Sequence, residues 1–475
     1  MNITLLEPTA SVLGHSTYAA HNILEPLGIE YVASYLETKG HTCHVVQQRC
    51  RTRESVIAEI VELYPDVLGI STLTYNIDDA LWFAGQIKKI LPKIVVILGG
   101  YHATAMPELA KRPEVDFVVL GEGEAVIAEL INTLKDGQES LSHIRGISFY
   151  DSALHVNPRA ERIADLDTLP FPKRDRKILS ECRMHGLMCP PAGKQTNVAT
   201  ITATRGCPYH CSFCSSQLIW NRDIRRRSPG QVAEELEFLV EEYGVNAVFF
   251  SDLTFNASKK YTINLCNEIA RRDIPIYFYA MCNLRGMDRE IAEAMAAAKC
   301  TKIGFGVESF IDEVRANMKD RGGMNLEQTN KILQEVCAGG VLTKAYFIIG
   351  FPWETLDSLS QLKNDIAQIH ADEIKVTFYA PFPGTPGYDQ HRSLLTTTDW
   401  SEFTTLTKPI VRNEDVTVEQ YQQIRVDIFN SFYNGKFWQE RSSRRVKDFP
   451  QYADSFVDFR EYLREKNILR TPVAS

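Results

Sequence analysis

The sequence predicts an α/β protein: an N-terminal doubly wound, Rossmann-like domain, then a partial (β/α)6 barrel, then a mostly helical C-terminal tail. Three observations predict it. Short apolar runs alternate with helical spacing through the first 135 residues, a segment dense in proline and glycine follows, and the alternation then resumes for six more βα units. A chain of 475 residues exceeds one ordinary core, and these breaks divide it into 1–140, a connector at 141–195, a barrel at 196–390 and a tail at 391–475.

In the first stretch the predicted strands are Ile3–Leu6, Cys43–Gln47, Val67–Ser71, Ile94–Leu98 and Phe117–Leu120, with helical spacing over Gly28–Thr38 and Ile77–Leu91. Strands separated by helices make a parallel sheet, and such sheets bind ligands at the carboxyl ends of their strands. The loops there are Ser71-Thr72, Gly99-Gly100-Tyr101-His102 and Gly121-Glu122-Gly123-Glu124. The connector holds a predicted hairpin, GISFYDSALHV, the run LPFPKRDRK and the loop-like MCPPAGKQTN. Barrel strands follow at Val198–Thr204, Ala247–Ser251, Ile276–Ala280, Lys302–Gly306, Ala345–Ile349 and Ile374–Tyr379. One helix shows the pattern: Ser228 as N-cap, Pro229 at N1, Val232, Leu236, Leu239, Val240 and Tyr243 on one face, and Gly244 at the end. Six units are two short of a closed barrel and leave an open side for a large substrate. VTVEQYQQIRVDIFNSFYNG is the clearest helix of the tail.

Composition removes several classes. A net charge of −8 and a pI near 5.8 argue against a nucleic-acid-binding face. The runs Arg225-Arg226-Arg227 and Arg444-Arg445 read as solvated surface. No apolar run reaches the 18 or so residues of a membrane span, and the N-terminus has no secretion signal, so the expected location is cytoplasmic. Eleven cysteines in such a chain read as buried thiols plus a metal site, not disulfides.

That site is TRGCPYHCSFCSS, Thr204 to Ser216, where Cys207, Cys211 and Cys214 form a Cys-x₃-Cys-x₂-Cys array. A structural zinc completed by His210 is the weaker reading, since adjacent residues seldom wrap one tetrahedral ion and no second CxxC follows. A cubane iron–sulfur cluster held by three thiolates leaves one iron open to a small molecule, which explains the missing fourth cysteine.

With Phe213 as its aromatic, the array resembles the signature of the radical S-adenosylmethionine (SAM) superfamily. The resemblance implies a [4Fe-4S] cluster on the three cysteines and SAM chelated to its open iron. An electron from the cluster then cleaves SAM, and the 5′-deoxyadenosyl radical takes a substrate hydrogen. It also implies a small-molecule substrate, an external electron donor of flavodoxin or ferredoxin type, and no catalytic acid/base pair. Gly304-Phe305-Gly306-Val307-Glu308-Ser309 resembles the family's fourth-strand segment, with Gly306, Glu308 and Ser309 at the SAM ribose. Asp252, in FFSDLTF, matches the first acid of the second-strand segment near the SAM amino group, while Leu253 replaces the second acid. Arg285 after the third strand is a candidate for the SAM carboxylate. Gly350, in the segment Ile348 to Thr355, borders the adenine, with Trp353 where glycine is common. PFPGTPGYD, Pro381 to Asp389, resembles the sixth-strand segment.

The front domain, with LGGYHAT, LGEGE and then LPFP, resembles the cobalamin-binding subgroup of these enzymes, of the class B methyltransferase type. Its fold is then of the cobalamin-binding type, with Ser71, Thr72, Gly99, Gly100, His102, Gly121, Glu122, Gly123 and Glu124 as the cobalamin contacts. The motif Asp-x-His-x-x-Gly, which supplies a lower cobalt ligand, is missing from the sequence, as it commonly is in this subgroup. His15 and His21 lie in an early loop and are the lesser candidates for contact at the active-site cleft, and Cys182 and Cys189 form no second cluster motif. The activity implied is cobalamin-dependent methylation of an unactivated carbon of a natural-product or cell-envelope intermediate. The alternatives are a radical dehydratase, cyclase, ring-contraction or rearrangement enzyme without methyl transfer, and a non-catalytic cobalamin or Fe–S sensor. Specificity is expected in the tail and the open barrel side.

Overall fold

Both alternating stretches fold as their apolar periodicity dictates. A computed structural model describes residues 1–9, 24–49, 51–137, 140–184, 187, 197–318, 323–466 and 468. His15, His21, Cys189 and most of MCPPAGKQTN lie outside the described residues. The front sheet comprises β1 (Asn2–Glu7), β2 (Thr42–Gln47), β3 (Val67–Ser71), β4 (Val95–Gly99) and β5 (Phe117–Val119), then β6 (Ile147–Tyr150) and β7 (Leu154–Val156). Its order is β2-β1-β3-β4-β5-β6-β7, with the first five strands parallel and the last two antiparallel. The hairpin expected in the connector is thus the antiparallel edge of this sheet. The order reverses between β1 and β3, the place where a doubly wound sheet opens a crevice. Separate apolar cores lie on its two faces, one built on Phe83 and Ile87 and the other on Leu36 and Leu130.

The second sheet runs β8 (Val198–Ile201), β11 (Ala247–Phe250), β12 (Tyr277–Cys282), β13 (Cys300–Glu308), β14 (Leu342–Ile349) and β15 (Glu373–Phe378), side by side and all parallel. β8 and β15 are its two edges, so the barrel is open between them. The first predicted strand divides: β9 (Thr204–Arg205) leaves the sheet and pairs antiparallel with β10 (Arg225–Arg226). At the break the buried Asp252 accepts from Ala203 N at 3.0 Å and Thr204 Oγ1 at 2.7 Å and holds the chain between the two strands. The helix Pro229–Tyr243 carries the expected signals, with Ser228 Oγ accepting from Gln231 N at 3.3 Å and Gly244 at φ +63°. The tail helices Val418–Tyr433, Lys436–Asp448 and Ala453–Glu465 cover β15, where Trp438 Nε1 donates to Asp372 O at 2.9 Å. Among the described residues no helix is long and apolar enough to cross a membrane.

The arginine runs are not solvated surface. Arg225, Arg227 and Arg445 are buried, and only Arg226 and Arg444 are exposed. Arg227 pairs with the buried Glu235, which also meets Arg174 at 2.8 Å. Arg174 in turn meets Glu25 at 2.6 Å and Glu30 at 3.2 Å. This network ties a front-domain helix, the connector and the first barrel helix together, and removing one member would strand a buried charge at roughly 3–5 kcal/mol.

Candidate active site

The cysteine loop is fixed from several sides. Gly206 stands at φ +106°, and a Cβ there would lie 2.1 Å from Asp223 O, so only glycine lets the loop leave β9 against β10. Ser212 N donates to Met318 O at 3.1 Å, and Gly387 N donates to Ser212 O at 2.8 Å, which ties PFPGTPGYD to the loop. Phe213 packs against the apolar cluster of Val314, Met318, Phe351, Tyr379 and Val411. Cys207, Cys211 and Cys214 are half-buried and in no disulfide. Burial pushes the Cys214 thiol up, Ser216 opposes this, and Cys207 and Glu308 add to it, so Cys207 and Glu308 lie in the field of Cys214. Among the described residues no three His, Cys, Asp or Glu side chains are grouped to hold a single ion. One zinc would draw thiolates to roughly 4 Å of each other through 2.3 Å bonds. In a cubane each thiolate binds a different iron, and three thiols on one pinned, half-buried loop suit that arrangement.

The barrel strand ends face this loop. A register shift between Gly306 and Glu308 breaks the β13–β14 ladder, and Glu308 adopts φ +69°, a left-handed conformation costly for a residue other than glycine. Its carboxylate lies close enough to Cys214 to act on that thiol. Ser309 is buried, its Oγ accepting from Ile311 N at 3.1 Å. Gly350 stands at φ +101°, and Glu354 accepts from Gly350 N at 2.7 Å, Phe351 N at 3.0 Å and Tyr421 Oη at 3.0 Å. Burial pushes the Glu354 carboxyl up to about 7. Trp353, in place of glycine, stacks on Phe351 with ring centroids 5.8 Å apart. Arg285 follows β12 in the turn Leu284–Gly286 and is exposed. Asp252 is 2% exposed and holds the backbone leading to the loop, and burial pushes its carboxyl up to about 6.

Between the strand ends of the two sheets lies a cavity of about 320 Å³, at the small end of ligand pockets. Ser71, Gly99, Gly100, Gly121 and Gly123 line its front-domain rim, Leu5, Ile97 and Val119 its depth, and Thr202, Arg205, Trp220 and Leu253 its barrel side. A Cβ at Gly99 would meet nothing within 4 Å, whereas one at Gly100 would lie 2.6 Å from Thr72 O. A glycine rim over an apolar slot fits a flat, bulky ligand that approaches the backbone closely, as a corrin does.

Several polar candidates face elsewhere. Thr72 is fully buried: its Oγ1 donates to Gly99 O at 2.8 Å and accepts from Ala103 N at 3.1 Å, fixing the Gly99–Gly100 turn. His102 is buried against Thr74 Oγ1 at 3.2 Å and Trp400, and burial lowers its pKa to about 4. Glu122 and Glu124 line the cavity but bind arginines of the barrel: Arg225 Nη2 lies 2.5 Å from Glu122, and Arg205 Nη2 lies 2.6 Å from Glu124. Burial raises the Glu122 pKa, but Arg225 and Arg205 outweigh it and hold it below the usual carboxylate range. Arg205 stands two residues before Cys207, so the front domain grips the root of the cysteine loop. Sequence reasoning missed Arg205, Trp220 and the apolar depth. The signal at Leu253 was present, an apolar residue where an acid is common, and it faces this cavity.

The comparisons agree with this architecture. Residues 18–131 match the B12 binding domain family, and residues 201–366 match the radical SAM superfamily. An uncharacterized methyltransferase of Pyrococcus horikoshii is 30% identical over 415 residues, covering 86% of this chain and 87% of that protein. An anaerobic magnesium-protoporphyrin IX monomethyl ester cyclase of Rubrivivax gelatinosus is 27% identical over 401 residues, covering 82% and 70%. The radical SAM methyltransferase TsrM of Kitasatospora setae, solved with cobalamin and a [4Fe-4S] cluster, shares the fold with a TM-score of 0.66 at 18% identity, covering 90% of this chain and 88% of that one. The chain therefore belongs to the radical SAM enzymes that carry an N-terminal B12-binding domain, a family whose cofactors are a [4Fe-4S] cluster, SAM and cobalamin.

Proposed function

We propose that the protein is a cobalamin-dependent radical SAM methyltransferase that methylates an unactivated carbon of a small biosynthetic intermediate. The observation that carries the reading is the shared cavity: its rim is glycine-built on the front sheet, and its opposite wall, Thr202, Arg205 and Leu253, belongs to the strand ends beside the cysteine loop. When bound, the cluster, SAM and cobalamin supply an electron, a hydrogen-abstracting radical and a methyl donor. Cys207, Cys211 and Cys214 would hold the cluster, while Phe213, Gly306, Glu308, Ser309 and Gly350 would line SAM. Ser71, Gly99, Gly100, Gly121 and Gly123 would line the corrin. Thr72, Asp252, Glu122 and Glu124 act as positioning residues, through the Gly99–Gly100 turn, the β8–β9 break and Arg205. Arg285 is assigned to the SAM carboxylate from the sequence pattern alone. The half-buried cluster loop calls for an external one-electron donor of flavodoxin or ferredoxin type. A reducing, cytoplasmic compartment suits the nine cysteines outside any disulfide among the described residues.

The relationship to a cyclase favours one second reading, radical chemistry without methyl transfer. Anaerobic turnover with SAM, cobalamin and a strong reductant separates the two. Methylation yields 5′-deoxyadenosine together with S-adenosylhomocysteine, the cyclase-like reading yields 5′-deoxyadenosine alone, and a binding protein yields neither.

A further inference from the structure

Beside the shared cavity lies a second, smaller one of about 210 Å³ that no part of the reading above uses. It opens between the end of β5, the connector at 159–162 and the short helix Gln217–Trp220 that follows the cysteine loop, with Asn221 at its end. Gly121, Glu122 and Ile219 belong to the walls of both cavities, so the smaller is a side chamber of the larger. The depth of the larger is apolar, whereas the side chamber is lined by Arg159, Arg162, Gln217 and Asn221.

Arg159 is the cation of this chamber that has no acid of its own. Its Nη1 donates to Leu218 O at 3.2 Å and its Nη2 reaches Thr104 O at 3.5 Å, which leaves most of the donors of a guanidinium fork to spare. Among the described residues no carboxylate pairs with it. Although exposed by area, it is covered enough that burial lowers its pKa, and no neighbouring charge opposes this. The other charges of the wall are placed: Glu122 is held by Arg225 and Arg205, Arg162 meets Asp223 at 3.4 Å, and Glu161 is exposed. Asn221 stands at φ +51° and ψ −158°, a backbone conformation nearly reserved for glycine, and strain of this kind gathers at ligand clamps. The guanidinium also meets the larger cavity, since Arg159 Nη1 lies 3.4 Å from the position a Cβ would take on Gly121. A ligand seated on the glycine rim therefore has this cation at its edge.

We propose that the side chamber is a phosphate site, in which Arg159 binds a phosphate ester borne by a ligand of the larger cavity. A planar fork with donors to spare matches the several oxygens of a phosphate, and charge-assisted bonds of this kind are the strong ones. The proposal rests on the functional reading above, which supplies two sources of that chemistry. One is the corrin itself, whose periphery is neutral amides except for the single phosphodiester of its nucleotide loop. The other is a phosphorylated substrate.

The test compares the anaerobically reconstituted full chain with its Arg159→Met and Arg159→Lys variants. Each is titrated with cobalamin and with cobinamide, which keeps the macrocycle but lacks the phosphodiester and nucleotide, and then with inorganic phosphate by calorimetry. If the corrin is the source, Arg159→Met weakens cobalamin roughly tenfold and cobinamide less than about twofold. If a substrate is the source, both corrin affinities hold, and inorganic phosphate binds the corrin-loaded wild type but not Arg159→Met. Arg159→Lys keeps the charge and should retain the binding that Arg159→Met loses. Equal weakening of the two corrins, equal loss in both variants, or no change with either corrin or phosphate overturns the proposal. A wild-type chain that takes up neither corrin removes the functional reading instead, and phosphate titration of that unloaded chain against Arg159→Met still reports on the anion site.

Discussion

The two parallel sheets present their ligand edges to each other, yet they build them differently. The barrel's edge is made of side chains: three thiols on a pinned loop, a strained Glu308, and Glu354 holding two backbone amides. The front sheet's edge is made of the lack of side chains, with glycines at 99, 100, 121 and 123 around an apolar slot. Where that edge does carry polar groups, Thr72, His102, Glu122 and Glu124, they bond to the protein itself. On the proposed assignment the difference teaches what each cofactor asks of its edge: iron needs ligand atoms, whereas a corrin needs room and backbone.

The comparison can be broken most severely at the cysteines. Cys207→Ala should remove the cluster's absorbance and reduce SAM cleavage by roughly a thousandfold or more, about 4 kcal/mol in barrier, while cobalamin affinity stays within about twofold. Equal loss of both cofactors would show that the two edges are not separate grips. Arg205→Met comes next. It leaves Glu124 buried without its partner and should cost roughly 3–5 kcal/mol in urea unfolding, with the cluster loop loosened at its root. A normal midpoint would show that the domains are held by other contacts, the Arg174 network first among them.

Glu354 sharpens the barrel side. Its carboxyl is raised from an unfolded value near 4.5 to about 7, so the folded state keeps a proton that the unfolded state releases. Its contribution is therefore lost as pH rises from about 4.5 to 7, to a total of roughly 3 kcal/mol. Glu354→Gln should flatten the difference in unfolding midpoint between pH 5 and pH 7 relative to wild type; an unchanged slope would place the titration elsewhere. The smallest effect is on the front side. Gly99→Leu projects a side chain into open space in the cavity and should weaken cobalamin binding about tenfold, near 1.4 kcal/mol, with iron content unchanged.

The same contrast governs what the sequence made legible. All six barrel strands, all five parallel front strands and the hairpin follow from apolar periodicity, because burial on one or both faces sets that period. The cysteine loop was legible because its spacing is itself the chemistry. The partners of Asp252, Glu122 and Glu124 were not legible, since a carboxylate's partner comes from a distant segment: Ala203 in one case, Arg205 in the other. The basic run at 225–227 was misread for the same reason, because Glu122 and Glu235 neutralise it through contacts that composition does not encode.

The central claim is that two cofactors meet across one cavity. The most direct measurement is the iron, sulfide and cobalt content of the anaerobically reconstituted chain, read beside the SAM-derived products of a single anaerobic incubation. The account predicts one four-iron cluster and one corrin per chain, with 5′-deoxyadenosine and S-adenosylhomocysteine formed together. A full cluster with no corrin retained, and 5′-deoxyadenosine as the sole product, would contradict it.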